Sequence, residues 1–139
     1  MPITLDGGVG VTFPDAVQQT NALTNTGGTP RYYAARAWVV FDGTVSPPTI
    51  LSAVNVSSVT RNTTGNYTVT FSSAMPNANY AVNVTARATG SSAPISFVDG
   101  STTPTTSAVV LQLVFVGWPA ASANSGAYDS SRVSVAVFA

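Results

Sequence analysis

Tyr67-Thr68-Val69-Thr70-Phe71 alternates a bulky apolar side chain with threonine, so Tyr67, Val69 and Phe71 share one side of an extended chain. A helix would scatter the three around its circumference; a repeat of two is the mark of a strand buried on one face only. The next extended run has the same build. Ala74-Met75-Pro76-Asn77-Ala78-Asn79 is a turn, and Tyr80-Ala81-Val82-Asn83-Val84-Thr85-Ala86 then alternates with Tyr80, Val82 and Val84 on one side. Upstream, Arg61-Asn62-Thr63-Thr64-Gly65-Asn66 reads as a polar, hairpin-like loop. Before it, Val54, Val56 and, after an irregularity, Val59 mark another strand. Ala35-Arg36-Ala37-Trp38-Val39-Val40-Phe41 is rich in β-formers and is stopped by Asp42-Gly43, and Ser46-Pro47-Pro48 forbids ladder pairing just afterwards.

Toward the C-terminus, residues 91–107 are dominated by Ser, Thr, Pro and Gly around a short apolar island at 95–98, which predicts a loop carrying a small strand. Val109-Val110-Leu111-Gln112-Leu113-Val114-Phe115-Val116 is almost continuously apolar. That pattern fits a strand buried on both faces, or on one face by its own domain and on the other by a partner subunit. It is also the segment most prone to aggregation, which makes its burial compulsory. Gly117-Trp118-Pro119 breaks it, residues 120–131 read as a flexible loop of small residues, and Arg132-Val133-Ser134-Val135-Ala136-Val137-Phe138 forms a last strand tied into the sheet.

Residues 1–30 differ from the rest. Ile3-Thr4-Leu5 and Val9-Gly10-Val11-Thr12-Phe13 are short β-like pieces around an Asp6-Gly7-Gly8 turn. Residues 16–23, with Asp15 as N-cap, predict at most a short, marginal helix, and residues 25–30 form a linker. The expectation is an all-β protein: an antiparallel β-sandwich or barrel-like knob over residues 31–139, behind a short irregular N-terminal segment, residues 1–30, that serves attachment and oligomerisation.

Composition narrows the function. Of 139 residues 45% are hydrophobic and only 7% charged, and every charge is Asp or Arg, whereas an average soluble domain has roughly 25% charged residues. A surface covered by Ser, Thr, Asn and Gly lacks the usual protection against association, so the chain reads as a subunit that hides surface against copies of itself. With a formal net charge of zero and no lysine, it lacks the electrostatic footprint of a nucleic-acid binder. The absence of Cys and His removes disulfides and the common transition-metal ligands, and no cofactor is implied. No apolar run approaches the roughly 20 residues of a membrane span, and the start lacks the features of a secretion signal, so synthesis and folding in a cytoplasm are expected.

Without His, Lys, Cys or Glu, acid–base catalysis would fall to Asp6, Asp15, Asp42, Asp99 and Asp129. They lie far apart, mostly in turns, where aspartate bonds its own backbone. Two of them brought together could cleave a glycosidic bond, which is the enzymatic alternative. Gly7-Gly8-Val9-Gly10 lacks the helix and lysine of a phosphate loop and reads as a turn. Recognition is left to aromatic side chains: Tyr32, Tyr33 and Trp38 near the entry to the β domain, Trp118 and Tyr128 around the loop before the last strand. For Trp38 packing in the core or between subunits is the favoured role. Arg36, Arg87 and Arg132 suit pairing with aspartates or capping of carbonyls.

Two parts of the chain resemble phage tail-fibre and virion-appendage proteins. Gly10-Val11-Thr12-Phe13-Pro14-Asp15 followed by Gln18, Gln19 and Thr20 is similar to a segment that recurs in tail fibres, with Ala16-Val17 in place of the usual Gly-Thr. Ala35-Arg36-Ala37-Trp38-Val39, the Asp42-Gly43-Thr44 turn, Asn55-Val56-Ser57-Ser58-Val59-Thr60, residues 65–71 and residues 74–80 resemble, in the same order, a β module of marine and cyanobacterial phage fibres. The resemblance implies a non-enzymatic virion protein made in the host cytoplasm. It would be a short tail fibre or receptor-binding knob, usually a homotrimer; the N-terminal segment is then the expected attachment to other virion proteins, and the aromatic side chains the expected contact with a host surface glycan. A capsid decoration (cement) protein and a free lectin-like, carbohydrate-binding module are the alternatives.

Overall fold

The computed structural model describes residues 34–88, 92–117 and 125–139, together with strand residues 4–6, 10–12 and 18–19. The chain divides into two compact units, Met1–Ala34 and Ala35–Ala139. In the first, β1 (Thr4–Asp6), β2 (Gly10–Thr12) and β3 (Gln18–Gln19) form an antiparallel sheet in that order. The marginal helix expected at 16–23 is corrected here. Gln18 and Gln19 pair with Thr12 and Val11 as a strand, which follows from how little apolar surface a helix there could bury. The linker expected at 25–30 lies outside the described residues.

The second unit is all β. Its strands are β4 (Ala37–Asp42), β5 (Thr49–Val54), β6 (Val56–Thr63), β7 (Asn66–Phe71), β8 (Ala81–Ala86), β9 (Ser92–Val98), β10 (Ala108–Gly117), β11 (Ser125–Ala127) and β12 (Val133–Phe138). One antiparallel sheet has the order β5-β4-β12-β8. In the other, Leu111 of β10 faces Tyr67 of β7 across one edge and Val98 of β9 across the other. Val114 likewise faces Ala127 of β11 and Ile95 of β9. One edge of β10 is therefore shared end to end by β7 and β11, the opposite edge belongs to β9, and β6 lies outside β7.

The sheets pack as a sandwich around alternating rows. Ala37, Val39 and Phe41 of β4 and Val133, Val135 and Val137 of β12 meet Tyr67, Val69 and Phe71 of β7 and Val109, Leu111 and Leu113 of β10, and all are buried. Phe41 and Tyr67 meet edge to face across the layers, ring centres 5.1 Å apart. At one side of the sandwich Ser96 Oγ donates to the Val84 carbonyl at 2.7 Å, tying edge strand β9 to edge strand β8.

Three local expectations are corrected, and the small strand expected at 95–98 is present and longer. The single strand read through Val54, Val56 and Val59 is two strands on different sheets, turned at Asn55, whose φ is 54°. Asparagine tolerates that left-handed conformation, and its amide clamps Ser73, donating to the carbonyl at 3.1 Å and accepting from the N–H at 2.7 Å. β5 begins directly after Pro48 as an edge strand. The short apolar island is the seven-residue strand β9, and the 120–131 loop contains β11.

Candidate recognition and assembly surfaces

One end of the sandwich is held by a polar clasp centred on Asp129. Its Oδ2 accepts from Arg61 Nε at 3.0 Å and Nη2 at 2.5 Å, while Oδ1 accepts the Gly65 N–H at 2.8 Å. The Tyr67 hydroxyl lies 2.5 Å from Oδ1 and 3.1 Å from the Gly43 carbonyl; its single proton goes to the carboxylate, the stronger acceptor. Sequence puts these groups together through turns. Thr64-Gly65 closes the β6–β7 hairpin with Gly65 at φ +68°, and a Cβ there would stand 2.5 Å from the Leu113 carbonyl oxygen, so only glycine fits. Gly65 O in turn accepts from Leu113 N–H at 2.7 Å, filling the gap in the β10 ladder between β7 and β11. Next to Asp129, Ser130 is fully buried; its carbonyl takes the Gly43 N–H at 2.9 Å, and its Oγ lies 3.0 Å from the carbonyls of Arg87 and Arg132.

Burial works against the charged carboxylate of Asp129, but Arg61, the Gly65 N–H and the Tyr67 hydroxyl outweigh it and hold its pKa below the ordinary value. Burial and the adjacent carboxylate push the Tyr67 phenol above its own ordinary range. Asp129 therefore stays ionised and Tyr67 neutral across the physiological range, the combination that keeps every donor and acceptor of the clasp matched. Asp42 and Asp99 act within turns: Asp42 accepts from the N–H and hydroxyl of Thr44, and Asp99 from both groups of Ser101 and from Asn66 Nδ2. Those bonds hold both carboxyls below their usual pKa. The described residues contain no group of three side chains suited to holding a metal ion.

Among the aromatics singled out from sequence, Trp38 stands half-buried on the outer side of β4, opposite Val54 and Ala136. It is not part of the core. Tyr128 meets the edge of Phe115 at 6.1 Å and donates to the Arg87 carbonyl at 3.2 Å, which fixes it beside the clasp. Tyr32, Tyr33 and Trp118 lie outside the described residues. The aspartate-pairing role expected of Arg36, Arg87 or Arg132 falls to Arg61 at Asp129.

A second feature was expected from sequence only on its β10 side, where residues 109–116 read as apolar on both faces. On the outer side of the β9–β10 pair, Phe97 stands opposite Gln112, Ile95 opposite Val114 and Ala93 opposite Val116. Ile95 is 47% exposed, and Phe97 and Val116 each 43%. Beside this apolar area runs an amide row, in which Asn62 donates to Asn66 at 2.7 Å, and Asn66 to Gln112 at 2.9 Å and Asp99 at 2.6 Å. Ile50, Leu51 and Val54 of β5 and Val45 just before it are the other large exposed apolar side chains grouped in sequence among the described residues. The two-residue spacing of Ile95 and Phe97, matching that of Val114 and Val116, was the available signal. The chain matches no known protein-family profile, no curated protein and no solved structure.

Proposed function

We propose that this chain is a non-enzymatic structural subunit of a phage virion appendage, a short tail fibre or receptor-binding knob that works as a homotrimer. The observation that carries the reading is the two-ended build of the sandwich. The chain enters it at Arg36, whose N–H donates to the Val137 carbonyl at 2.8 Å, on the end that also holds the Asn55 turn. The β4–β5, β6–β7 and β11–β12 connections gather at the opposite end, where Asp129 holds the β6–β7 hairpin and the Ser130 carbonyl takes the Gly43 N–H of the β4–β5 connection. The β5–β6, β7–β8 and β9–β10 connections lie at the entry end and are bonded to one another, so the body is rigid from end to end. A rigid body entered at one end with a clasped set of loops at the other is suited to projecting from a particle. The ordered resemblance to fibre modules over residues 35–80 and the scarcity of charge point the same way, and the three described β-domain aspartates are occupied by turn or clasp bonds.

Deleting residues 1–28 tests the reading. The truncated protein is expected to keep its β-sheet circular dichroism and to be missing from purified particles. Incorporation at normal copy number would overturn attachment through the N-terminal segment. Counting copies per wild-type particle separates an appendage, present in tens, from a capsid decoration, present in hundreds.

A further inference from the structure

We infer that the outer face of β9 and β10 is covered by a second copy of this chain. The inference rests on the reading of the chain as an assembly subunit and adds which surface assembles and onto what. The fold itself does not require an apolar outer face there. In the same sheet β7 turns Asn66, Thr68 and Thr70 outward and is as well paired as β10. Yet β10 turns Val110, Val114 and Val116 outward, and β9 adds Ile95 and Phe97 beside them.

Charge selects the occupant. A face that meets its own copy brings any net charge against the same charge, whereas a face for a different partner gains from carrying charge for the partner to complement. Among the described residues this face holds no ionisable side chain except Asp99 at its border, whose oxygens are engaged by Ser101 and Asn66. The polar border is built from Asn66 and Gln112, amides that donate and accept and so can face themselves. Size agrees as well. Ile95, Phe97 and Val116 are each a little under half exposed and stand together, and Phe97 is of a type that buries on the order of 150–250 Å². That is an apolar centre, with a polar rim around it, for an interface of about 800 Å² per partner. The exposed apolar side chains stand on the face of the pair and not along its edge, so the packing is face-on.

Sedimentation of the full chain at micromolar concentration tests this. The wild type is expected to run as an oligomer and Phe97→Asp as a single chain, with its association weakened at least ~100-fold and its circular dichroism unchanged. If Phe97→Asp loses sheet signal, Phe97→Ser and Ile95→Thr are read in its place and are expected to lower the mass while folding normally. Leu51→Asp identifies what meets the face: an unchanged mass indicates that like faces meet, and dissociation together with Phe97→Asp indicates that β5 of the next copy is the other half. Both outcomes keep a second copy on β9–β10. A wild-type monomer would overturn the inference. So would an oligomer unmoved by all of the β9 variants, but that result leaves the structural-subunit reading standing, since incorporation into particles is measured separately.

Discussion

β7 and β10 lie side by side in one sheet, bury their inward rows equally and differ on the outside. Tyr67, Val69 and Phe71 alternate with Asn66, Thr68 and Thr70, whereas Val109, Leu111 and Leu113 alternate with Val110, Gln112 and Val114. β7 has the sequence a sandwich strand needs when its outer face meets water. β10 carries apolar side chains beyond that need. The inner row is thus explained by the fold, and the outer row by whatever covers it.

The sharpest way to break the comparison is to cut the inner row. Leu111→Ala empties a fully buried site at the centre of the sandwich, and a loss of about 2–5 kcal/mol in denaturant unfolding is expected. A loss no larger than that of an outer-row change would mean that the two sides of β10 are equivalent. Next comes the clasp that holds the β6–β7 hairpin to the end of β11. Asp129→Ala leaves Arg61 and the Gly65 N–H without their acceptor and turns the Tyr67 hydroxyl to the Gly43 carbonyl, and about 2–3 kcal/mol should be lost. Smaller still is the acid response. The folded pKa of Asp129 is depressed, so its contribution is present above the unfolded carboxylate value of roughly 4 and fades as pH falls below it. Asp129→Asn should flatten that part of the stability profile; an unchanged acid limb would assign it to other carboxylates. The smallest effect belongs to the outer row. Val114→Thr, made in the Phe97→Asp background to keep association out of the measurement, should shift the unfolding free energy by about 0.5 kcal/mol or less.

The rows of β4, β7, β8 and β12 were legible because each strand buries one side, and burial of one side forces a repeat of two. β5 was not: Thr49, Ile50, Leu51 and Ser52 are all exposed on an edge strand, so no repeat is imposed, and the adjacent prolines argue against a strand. The Asn55 turn was hidden because a single left-handed residue sends Val54 and Val56 to different sheets while leaving the run of valines intact. The clasp was out of reach for another reason. Arg61 and Asp129 stand 68 residues apart, and only the pairing of β7 and β11 along the same edge of β10 brings them together. Trp38 and Tyr128 were legible as candidates, but their surroundings depend on neighbours from other strands.

β12 lies between β4 and β8 and pairs with both, so its sheet has no centre until residues 133–138 have left the ribosome. The β6–β7 and β9–β10 hairpins can form as the chain emerges. β4 and β8, in contrast, must wait with one edge unpaired, and the β4–β12 pairing closes a loop of nearly the whole domain, which slows folding. The order of synthesis therefore exposes the apolar strands of this sheet before their partner exists. Chains stalled before residue 133 would be natural substrates for chaperones or proteases.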